Sequence, residues 1–286
     1  MITFEHVTKT VNGVTVLQNI DLEIPTGELV VFAGPSGCGK TTTLKMINRL
    51  IAPSSGRVLI DGEDVATREL LELRRSIGYV TQHRGLFDHL TVRGNLLVSP
   101  ALALLPAAQR NSRVSETLAL LNLPEEQFAQ LYPYELTNLQ KQRLCMARAL
   151  AVDPEILLMD DPFAGLDFAE RSDMQDELVT LQAKSGKTTI FITSVMEEAV
   201  RVADRLAILD RGMLAQYAKP EEILKNPAQG FVQSYVGRNR IFEKLEDIRA
   251  RDIMLMRPVI THPDVPMLKS IEKMRLLRVD SLLVTD

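Results

Sequence analysis

Apolar positions fall along the chain in two alternating rhythms. Residues 2 to 24 alternate in strand fashion, with Leu17, Asn19, Asp21 and Glu23 set against Gln18, Ile20, Leu22 and Ile24, and Asn12-Gly13 marks a turn between two runs. Continuous apolar runs of strand length follow at Leu29–Ala33, Ser76–Thr81, Glu155–Asp160 and Thr188–Ile192, the pattern of strands covered on both faces. Arg57–Ile60 leads into the hairpin signal Asp61-Gly62, and Arg205–Asp210 with Met213–Ala218 reads as a strand pair. Helical spacing predicts helices over Thr42–Leu50, Arg68–Arg75, Ala169–Lys184, Met196–Ala203 and Pro220–Val236, the last broken at Asn226-Pro227. From His83 to about Leu136 the character is helical, with segments at Leu96–Leu105, Ser112–Asn122 and Pro124–Leu131 between Pro and Asn breakers. The expected architecture is α/β: a mixed sheet core, an N-terminal antiparallel β subdomain, and a helical subdomain inserted at about 83–150. Residues 1–236 form this domain, 237–252 read as a charged helical connector, and 253–286 as a small β-α-β unit too short to bury a core alone.

Between the strand at Leu29–Ala33 and the next helix stand Gly34, Pro35, Ser36, Gly37, Cys38, Gly39, Lys40 and Thr41, which match G-x-x-x-x-G-K-[ST] at every fixed position. Glycines let the backbone N–H groups converge on phosphate oxygens, and the helix N-terminus, with Thr42 in its first turn, favours negative charge. Lys40 would reach the β- and γ-phosphates, and the Thr41 hydroxyl would ligate Mg²⁺. Asp160, closing an apolar strand, stands where such sites keep the carboxylate that holds Mg²⁺. A nucleotide with Mg²⁺ is therefore the first ligand to test.

Bulk numbers narrow the class. The 286 residues, 45% apolar, support a packed core, and a formal charge of −4 leaves no basic excess to point at nucleic acid. Cys38 and Cys145 have neither metal nor disulfide spacing, which fits a reducing cytoplasm; His83 and His89 read as surface residues rather than metal ligands. Met1–His6 does not read as a signal peptide. The most apolar window, Leu96–Ala108, is too short to span a bilayer and contains Pro100 and Pro106, so any membrane work needs other chains.

With Gln82 after its strand, Leu136-Thr137-Asn138-Leu139-Gln140 before a helix, Leu157–Asp161 and Ala164-Gly165-Leu166-Asp167, the chain resembles the ATP-binding subunits of ABC transporters. The stretches Ser36–Leu50 and Gly85-Leu86-Phe87 resemble the importers of glycine betaine, carnitine and choline, and the tail from Ile253 resembles the first half of a CBS motif. The resemblance implies a second ATP-binding subunit as a homodimer partner, with Thr137–Gln140 facing the partner's ATP and Asp167 crossing the interface. It implies two membrane-spanning permease subunits, an extracytoplasmic solute-binding protein acting indirectly, and a place at the cytoplasmic face of the membrane. Gln82 would sense Mg²⁺ and the attacking water.

Four positions depart from the family pattern. The catalytic glutamate is Asp161, the switch histidine is Ser194, the Ser-Gly-Gly of the signature is Thr137-Asn138-Leu139, and the aromatic that stacks on adenine is Val11. A general base contributes about 10²- to 10⁴-fold, so a carboxylate one methylene short forfeits rate. The departures predict ATP binding with slowed hydrolysis. A non-hydrolysing regulatory or assembly subunit of the same fold is the competing reading.

Overall fold

The computed structural model describes residues 1–81, 85–99, 102, 104–237, 260–277 and 283–285. It divides into two compact units, Met1–Asn239 and Arg240–Asp286. In the first unit the strands are β1 (Ile2–Val11), β2 (Val14–Ile24), β3 (Leu29–Ala33), β4 (Ser55–Ile60), β5 (Glu63–Asp64), β6 (Ile77–Val80), β7 (Ile156–Asp160), β8 (Thr188–Thr193), β9 (Arg205–Asp210) and β10 (Met213–Ala218). Its helices are α1 (Lys40–Ile47), α2 (Leu70–Ser76), α3 (Val92–Leu97), α4 (Ala107–Leu120), α5 (Glu125–Phe128), α6 (Asn138–Leu150), α7 (Phe168–Ser185), α8 (Met196–Val202), α9 (Pro220–Lys225) and α10 (Phe231–Gly237).

The central sheet runs β10-β9-β3-β8-β7-β6, parallel except for the β9–β10 hairpin, and an antiparallel sheet runs β2-β1-β4-β5. Alternate residues of the central strands serve two cores. Val31, Met159 and Phe191 face one cluster with the helical layer α3–α6, whereas Val30, Phe32, Leu158 and Ile190 face another with α1 and the antiparallel sheet. Both faces are covered, so β3, β7 and β8 are buried at every residue and read as unbroken apolar runs.

Three local features depart from the expected pattern. Strict alternation fails in β2, where Leu17 is buried together with Ile20, Leu22 and Ile24. Asn19 adopts φ 47° and the pairing with β1 slips between Val7↔Ile20 and Lys9↔Leu17, a bulge that reverses the side-chain parity. Helix α3 starts at Val92 rather than Leu96, because the Thr91 hydroxyl caps it by accepting from Gly94 N at 3.1 Å. Helix α1 stops at Ile47, not Leu50, since Arg49 turns left-handed at φ 52° and Leu50 points outward.

The second unit, where described, is β11 (Ile260–Thr261), α11 (Met267–Leu277) and β12 (Leu283–Val284), with the two strands parallel and Ile260 opposite Leu283. This is the expected β-α-β order. The connector helix expected at Asn239–Arg251 lies outside the described residues.

Candidate functional site

Strand β3 ends at Gly34 and hands the chain to a loop that returns as α1. Gly34 has φ 148°, and a Cβ there would lie 2.2 Å from the Leu209 carbonyl oxygen. At Gly39, with φ 108°, a Cβ would lie 2.4 Å from Leu17 Cδ2. Both positions admit only glycine, and the loop is thereby wedged against β2 and β9. Cys38 is buried within it: its N–H donates to Pro35 O at 3.3 Å and its carbonyl accepts from Gly212 N at 3.1 Å. Burial pushes its thiol up, against the opposing pull of Lys40. Gly39 has no side chain to cap α1, which leaves first-turn amides available to an anion. Lys40 Nζ donates to the Gly34 and Pro35 carbonyls at 2.7 and 2.9 Å and so arches over the loop.

A cleft of about 360 Å³ opens over this loop. Ser36, Gly37, Gly39, Lys40, Thr41 and Thr42 form its floor; Asp160, Asp161, Thr193 and Ser194 stand on the other side, at the ends of β7 and β8. The Thr41 hydroxyl donates to Asp160 Oδ1 at 3.3 Å, across 119 residues of sequence. A hydroxyl and a buried carboxylate so placed are hard oxygen donors, the ligand type that suits Mg²⁺. They fit the ion.

Asp161 leaves the strand at φ 50°, its N–H donating to Ile192 O at 3.1 Å, which ties the ends of β7 and β8 together. Burial first, and then the charge of Asp160, push its carboxyl up, while Arg171 and Lys40 pull it down. Ser194 is exposed to the cleft, and its backbone carbonyl accepts from the Tyr235 hydroxyl of α10 at 3.1 Å. The Tyr235 phenol is pushed up to about 12, chiefly by burial.

The other expected residues are arranged differently. Val11 is exposed beside the Asn12-Gly13 turn and does not line the cleft; Val16, on β2, does. Thr137 caps α6 in a capping box, its hydroxyl accepting from Gln140 N at 3.2 Å while Gln140 Oε1 accepts from Thr137 N at 2.9 Å. Asn138 opens the helix, exposed, and the partly buried Leu139 packs its side chain against the core of the helical layer. Asp167 caps α7, accepting from Glu170 N at 2.9 Å. None of Thr137–Gln140 or Asp167 lines this cleft, and Gln82 lies outside the described residues. Sequence reading missed Val16, Thr193 and Tyr235. The strand-end position of Thr193 was available as a signal, but nothing local marks Tyr235, 41 residues from its partner.

Among the described residues no helix is long and apolar enough to cross a membrane. Residues 17–164 match the family model described as ABC transporter. The whole chain is 45% identical to the glycine betaine/carnitine/choline transport ATP-binding protein OpuCA of Bacillus subtilis (strain 168), covering 76% of that protein. It is 44% identical over its full length to the carnitine transport ATP-binding protein OpuCA of Listeria monocytogenes serotype 1/2a (strain 10403S), covering 72% of it. In three dimensions it resembles a dimeric post-hydrolysis state of the ATP-binding cassette MJ0796 bound to ADP and Pi, with a TM-score of 0.68 and 33% identity over 77% of this chain and 99% of that one.

Proposed function

This chain belongs to the ABC transporter family of ATP-binding proteins, and from that premise we propose that it energises an importer of quaternary-amine osmoprotectants of the glycine betaine, carnitine and choline type. It works at the cytoplasmic face of the membrane as a homodimer under two permease subunits, which receive solute from an extracytoplasmic binding protein. The observation that carries the ATP site is the facing of the Gly34–Thr41 loop and the Asp160–Asp161 strand end across one cleft. Full-length likeness to osmoprotectant transport ATP-binding proteins supports the choice of solute class.

Loop amides and Lys40 hold the phosphates. Thr41 and Asp160, with Gln82, would hold Mg²⁺, which when bound offsets phosphate charge. Asp161 accepts the proton of the attacking water, and Ser194 stands beside the terminal phosphate. Val16, which lines the cleft where Val11 does not, gives the base an apolar but non-aromatic surround. Thr137–Gln140 and Asp167, outside the cleft of their own chain, would face a second copy's nucleotide, with the N-terminal end of the α6 dipole directed there. The β-α-β unit from Ile253 is a partial CBS motif.

Asp161 is one methylene shorter than the usual glutamate and Ser194 has neither the reach nor the charge of a histidine. Both line the cleft. We therefore propose Mg-ATP binding with slow hydrolysis. The same two residues favour, as a second reading, a nucleotide-binding regulatory subunit that does not drive transport. Phosphate release measured with and without the permease subunits separates the two: stimulation by the permease supports an energising subunit, and none supports the regulator.

A further inference from the structure

Among the described residues two carboxylates are buried, Asp160, which the cleft explains, and Glu198, which it does not. Glu198 sits on α8 behind Ser194. Its Oε2 accepts from the Thr193 hydroxyl at 2.6 Å, and its Oε1 pairs with Arg171 Nη1 at 3.1 Å. The Thr193 oxygen in turn accepts the Val195 N–H at 3.0 Å, folding the turn on which Ser194 is carried. Arg171, in the first turns of α7, reaches the Leu166 carbonyl at 3.4 Å, one residue before Asp167. A continuous run of polar contacts thus joins the loop after β7 to the turn after β8.

Stability alone is a poor account of this arrangement. An ion pair whose carboxylate is buried and whose guanidinium is only partly so recovers little beyond the cost of desolvating the carboxylate, and Arg171 Nε is buried with no hydrogen-bond partner among the described residues, a further cost. What the pair does supply is geometry. Ser194 is held from one side by the Thr193–Val195 bond and from the other by Tyr235.

We propose that Glu198 and Arg171 are positioning residues for ATP cleavage: through Thr193 they fix the turn that presents Ser194 to the cleft, and through Leu166 they tie that turn to the loop bearing Asp167. This rests on the reading of the cleft as the ATP site. Neither residue touches the reacting atoms.

The test uses the full chain with Glu198→Gln, Arg171→Met, the double variant, and Thr193→Val, which breaks the link while leaving the charge pair in place. Each single change is expected to speed hydrogen exchange at the Val195 amide about tenfold or more and to slow single-turnover ATP cleavage about tenfold or more. ATP affinity stays within about threefold in Glu198→Gln and Arg171→Met, neither of which lines the cleft. The double variant leaves no unpaired charge at the buried Glu198 position, so it regains the melting temperature lost by Arg171→Met but neither the exchange protection nor the cleavage rate. Unchanged Val195 exchange in Thr193→Val and Glu198→Gln, or a double variant that regains cleavage together with melting temperature, overturns the proposal. If the wild-type chain holds no ATP, the reading of the cleft fails by itself, and Val195 exchange still decides whether the pair orders the turn.

Discussion

Replacing Asp161 by Glu tests the proposed slow hydrolysis directly. The substitution lengthens the side chain by one carbon–carbon bond, about 1.5 Å, into a cleft of about 360 Å³ that leaves room for it. The backbone cost rises modestly: position 161 sits at φ 50°, a left-handed conformation that the short polar side chain of Asp tolerates better than that of Glu. Lys40 and Arg171, which pull the Asp161 carboxyl down, remain to favour a charged glutamate. A general base is worth about 10²- to 10⁴-fold, and a misplacement of about 1 Å costs on the order of 10²-fold. Part of the proposed deficit is assigned to Ser194, so Asp161→Glu alone is expected to raise the single-turnover cleavage rate roughly 10- to 100-fold. The assay mixes excess protein with labelled ATP and Mg²⁺, quenches at intervals and separates phosphate, while equilibrium titration follows affinity. Affinity should stay within about twofold, since the proposed phosphate site is the loop, which the substitution leaves unchanged. No acceleration in Asp161→Glu or in Asp161→Glu/Ser194→His, with binding intact, refutes the argument that these two side chains set the rate.

Gly39→Ala would place a Cβ 2.4 Å from Leu17 Cδ2 at a φ of 108°, and ATP affinity by equilibrium titration should fall about tenfold or more as the loop shifts. Thr41→Val removes the hydroxyl that lies 3.3 Å from Asp160; the enhancement of ATP affinity by Mg²⁺ should shrink about tenfold, whereas affinity in chelator should hold. Tyr235→Phe deletes the bond to the Ser194 carbonyl and should lower unfolding stability in urea by about 1 kcal/mol, with little loss of ring packing against Phe231. Phe191→Ala empties a fully buried site packed edge-on against Phe163 and should cost about 3–5 kcal/mol by the same measurement.

Much of this architecture is legible in the chain because the central strands are covered on both faces. Leu29–Ala33, Ile156–Asp160 and Thr188–Thr193 are buried throughout, so each reads as an apolar run bounded by turn residues. The phosphate loop is equally legible, since its glycines meet steric demands at Gly34 and Gly39 that no other residue satisfies. Parity in β2 was not, because the bulge at Asn19 depends on pairing with β1, and that pairing puts Leu17 rather than Gln18 inside. The apolar wall of the cleft is likewise a matter of strand placement, which brings Val16 in and leaves Val11 outside. The supports behind the cleft are the least legible. Glu198, Thr193 and Arg171 come from three elements, and a glutamate on α8 looks in sequence like any solvated helix position until the fold buries it.

The central claim is that this chain holds Mg-ATP firmly and cleaves it slowly. Incubating the purified chain with radiolabelled ATP and Mg²⁺, then separating bound ATP from released phosphate over time, tests both halves on one sample. The account predicts close to one ATP retained per chain, with phosphate release well below about 1 per second. Failure to retain ATP, or steady turnover within the range of about 1 to 10³ per second, would contradict it.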